Sequence, residues 1–205
     1  MKLSSADYIV HSCGIVILAG GSSTRLGKPK QLLQYHGKTL LKHAVNEAIN
    51  AKADAVVVIL GKNADLFQKE IDKEKVRVVI NKDWEEGMAS SVRLGLDTLL
   101  KTKPYMDAVI FMVCDQPHIS SLVLNELITT QQKTTKQIVT CNYGGSMGPP
   151  ALFHKKYFRE LAKLNGDVGA KNIIRQNMND VATVLFPEGK IDIDTQEDYD
   201  ALKNS

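Results

Sequence analysis

The sequence predicts an α/β fold: one Rossmann-like, mainly parallel sheet with helices on both faces. Two observations carry this prediction. Apolar, β-branched runs alternate with segments of helical periodicity along most of the chain, the order expected of consecutive βαβ units. No internal repeat, low-complexity tract or linker interrupts that order, and 205 residues at 43% hydrophobic and 24% charged suit one domain with a sizeable core.

The elements follow in turn. Gly14-Ile15-Val16-Ile17-Leu18-Ala19 has the composition of a buried parallel strand. Thr39 to Ile49 carries apolar residues at helical spacing, and Ala55 to Leu60 is a β-branched apolar run that completes a βαβ unit. Val76 to Ile80 gives a third strand, Ser91 to Leu100 a helix, Ala108 to Val113 a fourth strand and Ser120 to Gln132 another helix. Lys101-Thr102-Lys103-Pro104 is a breaker within the domain. Ile138 to Cys141 and Ala151 to Phe153 are short strands around a glycine-rich turn, with helices expected near Lys155 to Lys163 and Ala170 to Asn177. Thr183 to Phe186 supplies a late strand and Thr195 to Leu202 a final helix.

A net charge of +3 is only mildly basic, and the charges are interspersed. Lys69-Glu70-Ile71-Asp72-Lys73-Glu74-Lys75 reads as a solvated helix face and turn, so no nucleic-acid partner is expected. Cys13, Cys114 and Cys141 are odd in number and lack a Cys-x-x-Cys pair, which suggests neither a disulfide framework nor a zinc site. A reducing cytoplasm is the expected location. Met1 to Ser12 lacks a basic start followed by an apolar core, and no apolar run approaches about 18 residues, so neither export nor membrane spanning is expected.

The most informative stretch is Leu18-Ala19-Gly20-Gly21-Ser22-Ser23-Thr24-Arg25-Leu26-Gly27-Lys28-Pro29-Lys30. It follows the first strand, where open α/β sheets bind ligands, and its glycines let backbone N–H groups approach an anion while Arg25 and Lys30 add charge. It is not a Walker loop: five residues separate Gly21 from Gly27-Lys28, and Pro29 stands where a hydroxyl is needed. The Gly-x-Gly-x-x-Gly spacing of a dinucleotide loop is absent from the segment as well.

The loop, continued by Gln31-Leu32-Leu33, resembles the signature of the nucleotidyltransferases that process molybdenum cofactor, within the GT-A-like NTP-transferase superfamily. Further matches follow in family order: Gly87-Met88-Ala89-Ser90-Ser91, Cys114-Asp115-Gln116-Pro117, Gly148-Pro149-Pro150-Ala151-Leu152-Phe153, Gly166-Asp167-Val168-Gly169-Ala170-Lys171 and Asp192-Ile193-Asp194-Thr195. The set is similar above all to the molybdopterin cytidylyltransferase branch, with the guanylyltransferases and the methylerythritol cytidylyltransferases more distant. The motifs reach from Gly14 to Leu202, so one nucleotidyltransferase domain is expected over residues 1–205, with a core at about 14–202 and an N-terminal extension at 1–13.

The resemblance implies a nucleotide-diphospho-sugar transferase-like fold and an enzyme that joins an acceptor phosphate to the α-phosphorus of CTP or GTP and expels pyrophosphate. Mg²⁺ is the implied cofactor, molybdopterin the implied acceptor, and a molybdoenzyme the implied client. Here anion must approach anion, so cations and positioning dominate, and a phosphate whose second pKa is about 6 needs no obligatory general base.

By resemblance Arg25 grips the triphosphate tail and Lys30 lies near the α-phosphate; taken as residues alone, both also read as solvated loop cations. Asp115, at the end of the fourth strand, suits Mg²⁺, and it also suits a turn before Pro117 or a cap for the next helix. Asp192 and Asp194 would share one side of a strand-like segment, where one of them could complete the metal site. Asp194 with Glu197, or Thr195 with Asp198, equally spells a capping box.

Nucleotide contacts are assigned to Leu18, Ala19, Gly20, Gly21 and Ser22 and to Gly87, Ser90 and Ser91 before a helix, with helix capping as the other use of the serines. Cytidylyl members more usually have Ala-Ala-Gly where this chain has Ala19-Gly20-Gly21, so CTP and GTP both stay open. Lys171 is expected at the acceptor's phosphate, although a helix start capped by Asp167 explains its segment too.

Two other readings remain at this point: transfer onto a sugar or alditol phosphate, and a carrier that binds molybdopterin or nucleotide without catalysis. A third is rejected. Gly144-Gly145-Ser146-Met147-Gly148 matches a serine-hydrolase pattern, but Pro149-Pro150 follows in place of a helix, and His154 arrives with no intervening acid.

Overall fold

Strand β1 (Cys13–Ala19) forms where apolar residues run unbroken, and it lies inside a seven-stranded sheet with a neighbour on either side. The computed structural model describes residues 9–21, 27–167 and 169–203. After β1 come a small hairpin of β2 (Gln34–Tyr35) and β3 (Lys38–Thr39), then β4 (Ala55–Leu60), β5 (Arg77–Ile80), β6 (Ala108–Val113), β7 (Ile138–Asn142), β8 (Met147–His154) and β9 (Val181–Leu185). The large sheet has the order β5-β4-β1-β6-β8-β7-β9. Every pairing is parallel except those of β8, which runs against both β6 and β7.

Alternation along β1 explains the two layers. Ile15, Ile17 and Ala19 face one core with Leu41 and Ala44 of α1 (Leu40–Asn50), Phe67 of α2 (Ala64–Ile71) and, from beyond the next helix, Leu124 and Leu127. Val16 faces the other core with Val92, Leu96 and Leu99 of α3 (Met88–Thr102). Leu124 and Leu127 belong to α4 (Ser121–Thr134). Helix α3 approaches β1 closely because small residues meet large ones across the contact: a Cβ on Gly95 would strike Val16, and one on Gly14 would strike Leu99. Among the described residues, three short helices follow β8: α5 (Phe158–Leu161), α6 (Lys171–Gln176) and, after β9, α7 (Gln196–Lys203). No helix among the described residues is long and apolar enough to cross a membrane.

Several expectations are corrected. Helix α3 begins at Met88 instead of Ser91, so the serines lie inside its first turn. Lys155 to Lys163 is broken into a 3₁₀ turn at Lys155–Tyr157 and the short α5. Residues 191–194 form no strand. β8 starts before Ala151, at Met147, and the β7–β8 register shifts between Thr140 and Cys141 where Pro149 and Pro150, which lack N–H donors, cannot continue the ladder.

Candidate active site

At the carboxyl edge of β1 the chain leaves the sheet through Gly20 and Gly21. Gly61, after β4, presses against this exit: a Cβ there would lie 2.7 Å from the Gly20 carbonyl oxygen. Leu18, Ala19, Gly20 and Gly21 line a cavity of about 360 Å³ together with Lys30, Trp84, Gly87, Ser91, Asp115 and Asp167. Ser22 and Arg25 lie outside the described residues. Gln31, a motif residue to which the sequence assigns no role, is 1% exposed and donates from Nε2 to the carbonyls of Ala19 (3.2 Å) and Gly21 (2.9 Å). With their carbonyls held from behind, the loop's exit path is fixed by a side chain from the following turn.

That turn also delivers Lys30. Pro29 precedes it in extended conformation, and a 3₁₀ turn over Lys30–Leu32 sends the side chain inward, where it is 16% exposed. Its ammonium donates to the Asp115 carboxylate and, at 3.1 Å, to Oδ1 of Asp194. Burial alone would lower the lysine's pKa, but the charges and hydrogen bonds of Asp115 and Asp194 outweigh it and hold the pKa above the ordinary lysine value. Lys30 is therefore charged at neutral pH and sits between two acids, not in bulk solvent.

The acids arrive from distant parts of the chain. β6 ends at Val113, and buried Cys114 places Asp115 at the sheet edge, with its Oδ1 buried and without a hydrogen-bond partner among the described residues. The 191–194 segment is pinned by the Ile193 N–H, which donates to the Asp115 carbonyl at 3.1 Å. Thr195 and Asp198 form the capping box of α7: the Asp198 carboxylate accepts from the Thr195 N–H at 2.8 Å, and the Asp198 N–H donates to Thr195 Oγ1 at 3.2 Å. The alternative pairing of Asp194 with Glu197 is not used, which leaves the Asp194 carboxylate to face Lys30. Partial burial and the like charges of Asp115 and Asp194 push the Asp192 pKa up.

These groups pass a chemical test for a hard divalent cation. An orphaned carboxylate oxygen on Asp115, with a second acid close enough to repel it, is the kind of donor set that Mg²⁺ or Mn²⁺ completes with water and phosphate. Among the described residues no three His, Cys, Asp or Glu side chains are gathered into a closed metal cage, and the ammonium of Lys30 stands between Asp115 and Asp194.

The cavity's far wall is the start of α3. Gly87 has φ +109°, a conformation open to glycine, and a Cβ there would overlap the Asp167 carboxylate. The Ala89 N–H donates to Gly166 O at 3.0 Å, so the two glycine motifs are interlocked across the cleft. Ser90 and Ser91 separate in role. Both accept from Asn81 Nδ2, at 2.8 and 3.0 Å, but Ser90 also donates to Gly87 O, while Ser91 lines the cavity. Asn81 was not anticipated, because no spacing in the sequence ties it to either serine.

A second compartment of about 350 Å³ opens beside the first and shares Leu18, Met88, Val113 and Asp167 with it. Its walls are largely apolar, from Phe111, Met147, Phe153 and Ile174, and exposed Lys171 lines it as the first residue of α6. The structure thus gathers Lys30, Asp115, Gly20 and Gly21 around one cavity, sets Asp194 against Lys30, and places Lys171 at the neighbouring compartment.

Comparison with known proteins identifies relatives of the whole fold. Rv0371c from Mycobacterium tuberculosis H37Rv superposes with a TM-score of 0.83 at 30% identity, covering 96% of this chain and 99% of that one. A structure of Rv0371C in complex with manganese, from the same organism, gives a TM-score of 0.78 at 28% identity, over 95% and 99% of the two chains. Nicotine blue oxidoreductase of Paenarthrobacter nicotinovorans is 30% identical over 171 residues, covering 78% of this chain and 80% of that protein. The profile of the MobA-like NTP transferase domain matches residues 15–181. Most of the sheet and the cavity lies within that match, and the chain belongs to the MobA-like NTP transferase family of nucleotidyltransferases.

Proposed function

We propose that this nucleotidyltransferase uses Mg²⁺ to transfer the nucleotidyl group of CTP to molybdopterin, with GTP as the alternative donor, and releases pyrophosphate. The observation that carries the reading is the Lys30 ammonium, half-buried between Asp115 and Asp194 beside Gly20 and Gly21. Asp115, with Asp192 or Asp194, would hold the metal, which when bound neutralises phosphate charge.

The chain's own residues account for the rest. The backbone around Gly20 and Gly21 faces the phosphates, and Gln31 fixes its path. Lys30 offsets charge at the α-phosphate as an acceptor phosphate oxygen forms its bond to the α-phosphorus and the bond to the departing pyrophosphate breaks. Arg25 binds the departing group. Ser91 and the loop backbone meet the base. A Cβ on Gly20 would make only ordinary contacts, 3.5 Å to Ser91 Oγ and 3.6 Å to Gly61 N, so the fold tolerates either the glycine here or the alanine of cytidylyl relatives.

The apolar second compartment supports a flat heterocyclic acceptor over a sugar or alditol phosphate, with Lys171 toward its phosphate. We place the reaction in the cytoplasm, where Cys13, Cys114 and Cys141, all buried and unpaired, stay reduced, and we take a molybdoenzyme as the recipient of the product.

The test is pyrophosphate release from CTP, GTP, ATP and UTP, each with and without Mg²⁺, against molybdopterin and a panel of sugar and alditol phosphates. Metal-dependent release with CTP and molybdopterin is the expected result. Turnover on a polyol phosphate alone would overturn the acceptor, and turnover on GTP alone would change the donor.

A further inference from the structure

Tyr143 lies outside the residues assigned to the reaction, yet it touches three segments that carry them. It follows β7 at the turn into β8, and its ring is seated between two glycines. A Cβ on Gly148 would lie 2.7 Å from the tyrosine hydroxyl, and one on Gly189 would overlap the ring. Phe186 meets the ring edge-on at 6.2 Å. The hydroxyl donates to the Pro149 carbonyl and accepts from Gln116 Nε2 at 2.9 Å. The second proton of that buried amide goes to the Gly189 carbonyl at 2.6 Å.

Each partner belongs to a working part. Gln116 follows Asp115 directly. Gly189 sits in the 3₁₀ turn Pro187–Lys190, which leads straight to Asp192 and Asp194. Pro149 and Gly148 line the apolar compartment, as does Tyr143 itself. An aromatic ring alone would fill this space. The hydroxyl adds something different, because it gives the buried Gln116 amide its second acceptor and ties the β8 turn to the same point.

We infer that Tyr143 is a positioning residue: through Gln116 it sets the spacing of the Asp115 and Asp192–Asp194 segments and couples that spacing to the acceptor compartment. This rests on the functional reading above, with those acids as metal ligands. A residue that only fills space would tolerate phenylalanine.

The test uses the full chain with Tyr143→Phe, Gln116→Leu and the double variant. Mn²⁺ binding is followed by electron paramagnetic resonance in the absence of nucleotide, and pyrophosphate release is measured separately. Tyr143→Phe should weaken Mn²⁺ binding by about 10-fold and lower kcat by about 10- to 100-fold, with the KM for the nucleotide changed by less than about threefold. The double variant should bind Mn²⁺ no worse than Gln116→Leu, because both changes remove one shared hydrogen bond. Additive losses, or a Tyr143→Phe protein whose Mn²⁺ affinity and kcat both match the wild type, would overturn the inference. If Gln116→Leu does not fold, the Mn²⁺ affinity of Tyr143→Phe decides alone. A wild-type protein that binds no Mn²⁺ also overturns it, whereas one that binds Mn²⁺ yet releases no pyrophosphate overturns the proposed reaction and leaves the Mn²⁺ comparison decisive.

Discussion

Replacing Lys30 with methionine deletes the ammonium while keeping an unbranched stem. At 3.1 Å, one charge pair is worth about 5 kcal/mol of gross attraction at an effective dielectric constant of about 20. Much of that offsets the cost of burying the charges, and breaking one partner of a buried pair typically costs about 3–5 kcal/mol. Asp194 is 32% exposed, so water recovers part of the loss. The lower end, about 3 kcal/mol, is therefore the expected destabilisation. For a chain of this size it corresponds to a fall in Tm of about 6–12 °C. A divalent cation can supply the missing charge, so Mg²⁺ or Mn²⁺ should raise the Tm of the variant more than that of the wild type. Pyrophosphate release should drop by about 100- to 1,000-fold. Thermal unfolding with and without Mg²⁺, followed by steady-state kinetics, measures all three. A Tm within about 2 °C of wild type with the same response to Mg²⁺ would refute the electrostatic argument, and activity within about threefold would refute the role at the α-phosphate.

Gln31→Leu removes both donors that hold the loop carbonyls while preserving volume; it should raise the KM for nucleotide by about 10-fold and cost about 1–3 kcal/mol of stability, and an unchanged KM would show that the loop holds its shape unaided. Leu99→Ala should lower stability by about 3–5 kcal/mol in urea unfolding, because Leu99 is fully buried over Gly14, which has no side chain to relax into the space. Asp107 predicts a pH effect. Burial alone would raise its pKa, but Lys155 and the N–H groups of His11 and Ser12 hold it below the ordinary aspartate value. Its contribution is present above the unfolded pKa of about 3.9 and is lost as pH falls through the lower folded value, so Asp107→Asn should be less stable at pH 7 and lose less Tm than wild type below about pH 4. Parallel acid limbs for the two proteins would contradict this.

The large strands were legible because a sheet covered on both faces needs unbroken apolar runs, and β1, β4 and β6 have them. The β2–β3 hairpin was not, since two residues a side cannot show a period. Helix α2 buries Ala64, Phe67 and Ile71 alone, too sparse a stripe to separate from its charged neighbours. The early start of α3 depends on Gly166 and Asp167, nearly eighty positions away, meeting Gly87 and Ala89. The same distinction runs through the site. Lys30, Asp115 and Asp194 were visible as motif members, but the contact of Lys30 with Asp194 spans 164 positions and no local pattern announces it. Gln31 is a motif member and Asn81 is not, but both act by donating to carbonyls or hydroxyls, a task that leaves no spacing to read.

The docking of Ile193 on Asp115 also has a bearing on the order of events during synthesis. At about 5–20 residues per second, several seconds or more separate the emergence of Lys30 from that of Asp194. In that interval β1, β4 and β5 can already pair, and β6 can join them as it emerges. The third corner of the charge cluster arrives only after β1 to β9 have all been made. A ribosome-bound chain thus carries a nearly finished sheet, with Lys30 and Asp115 already in place, before the segment that bears Asp194 can dock beside them.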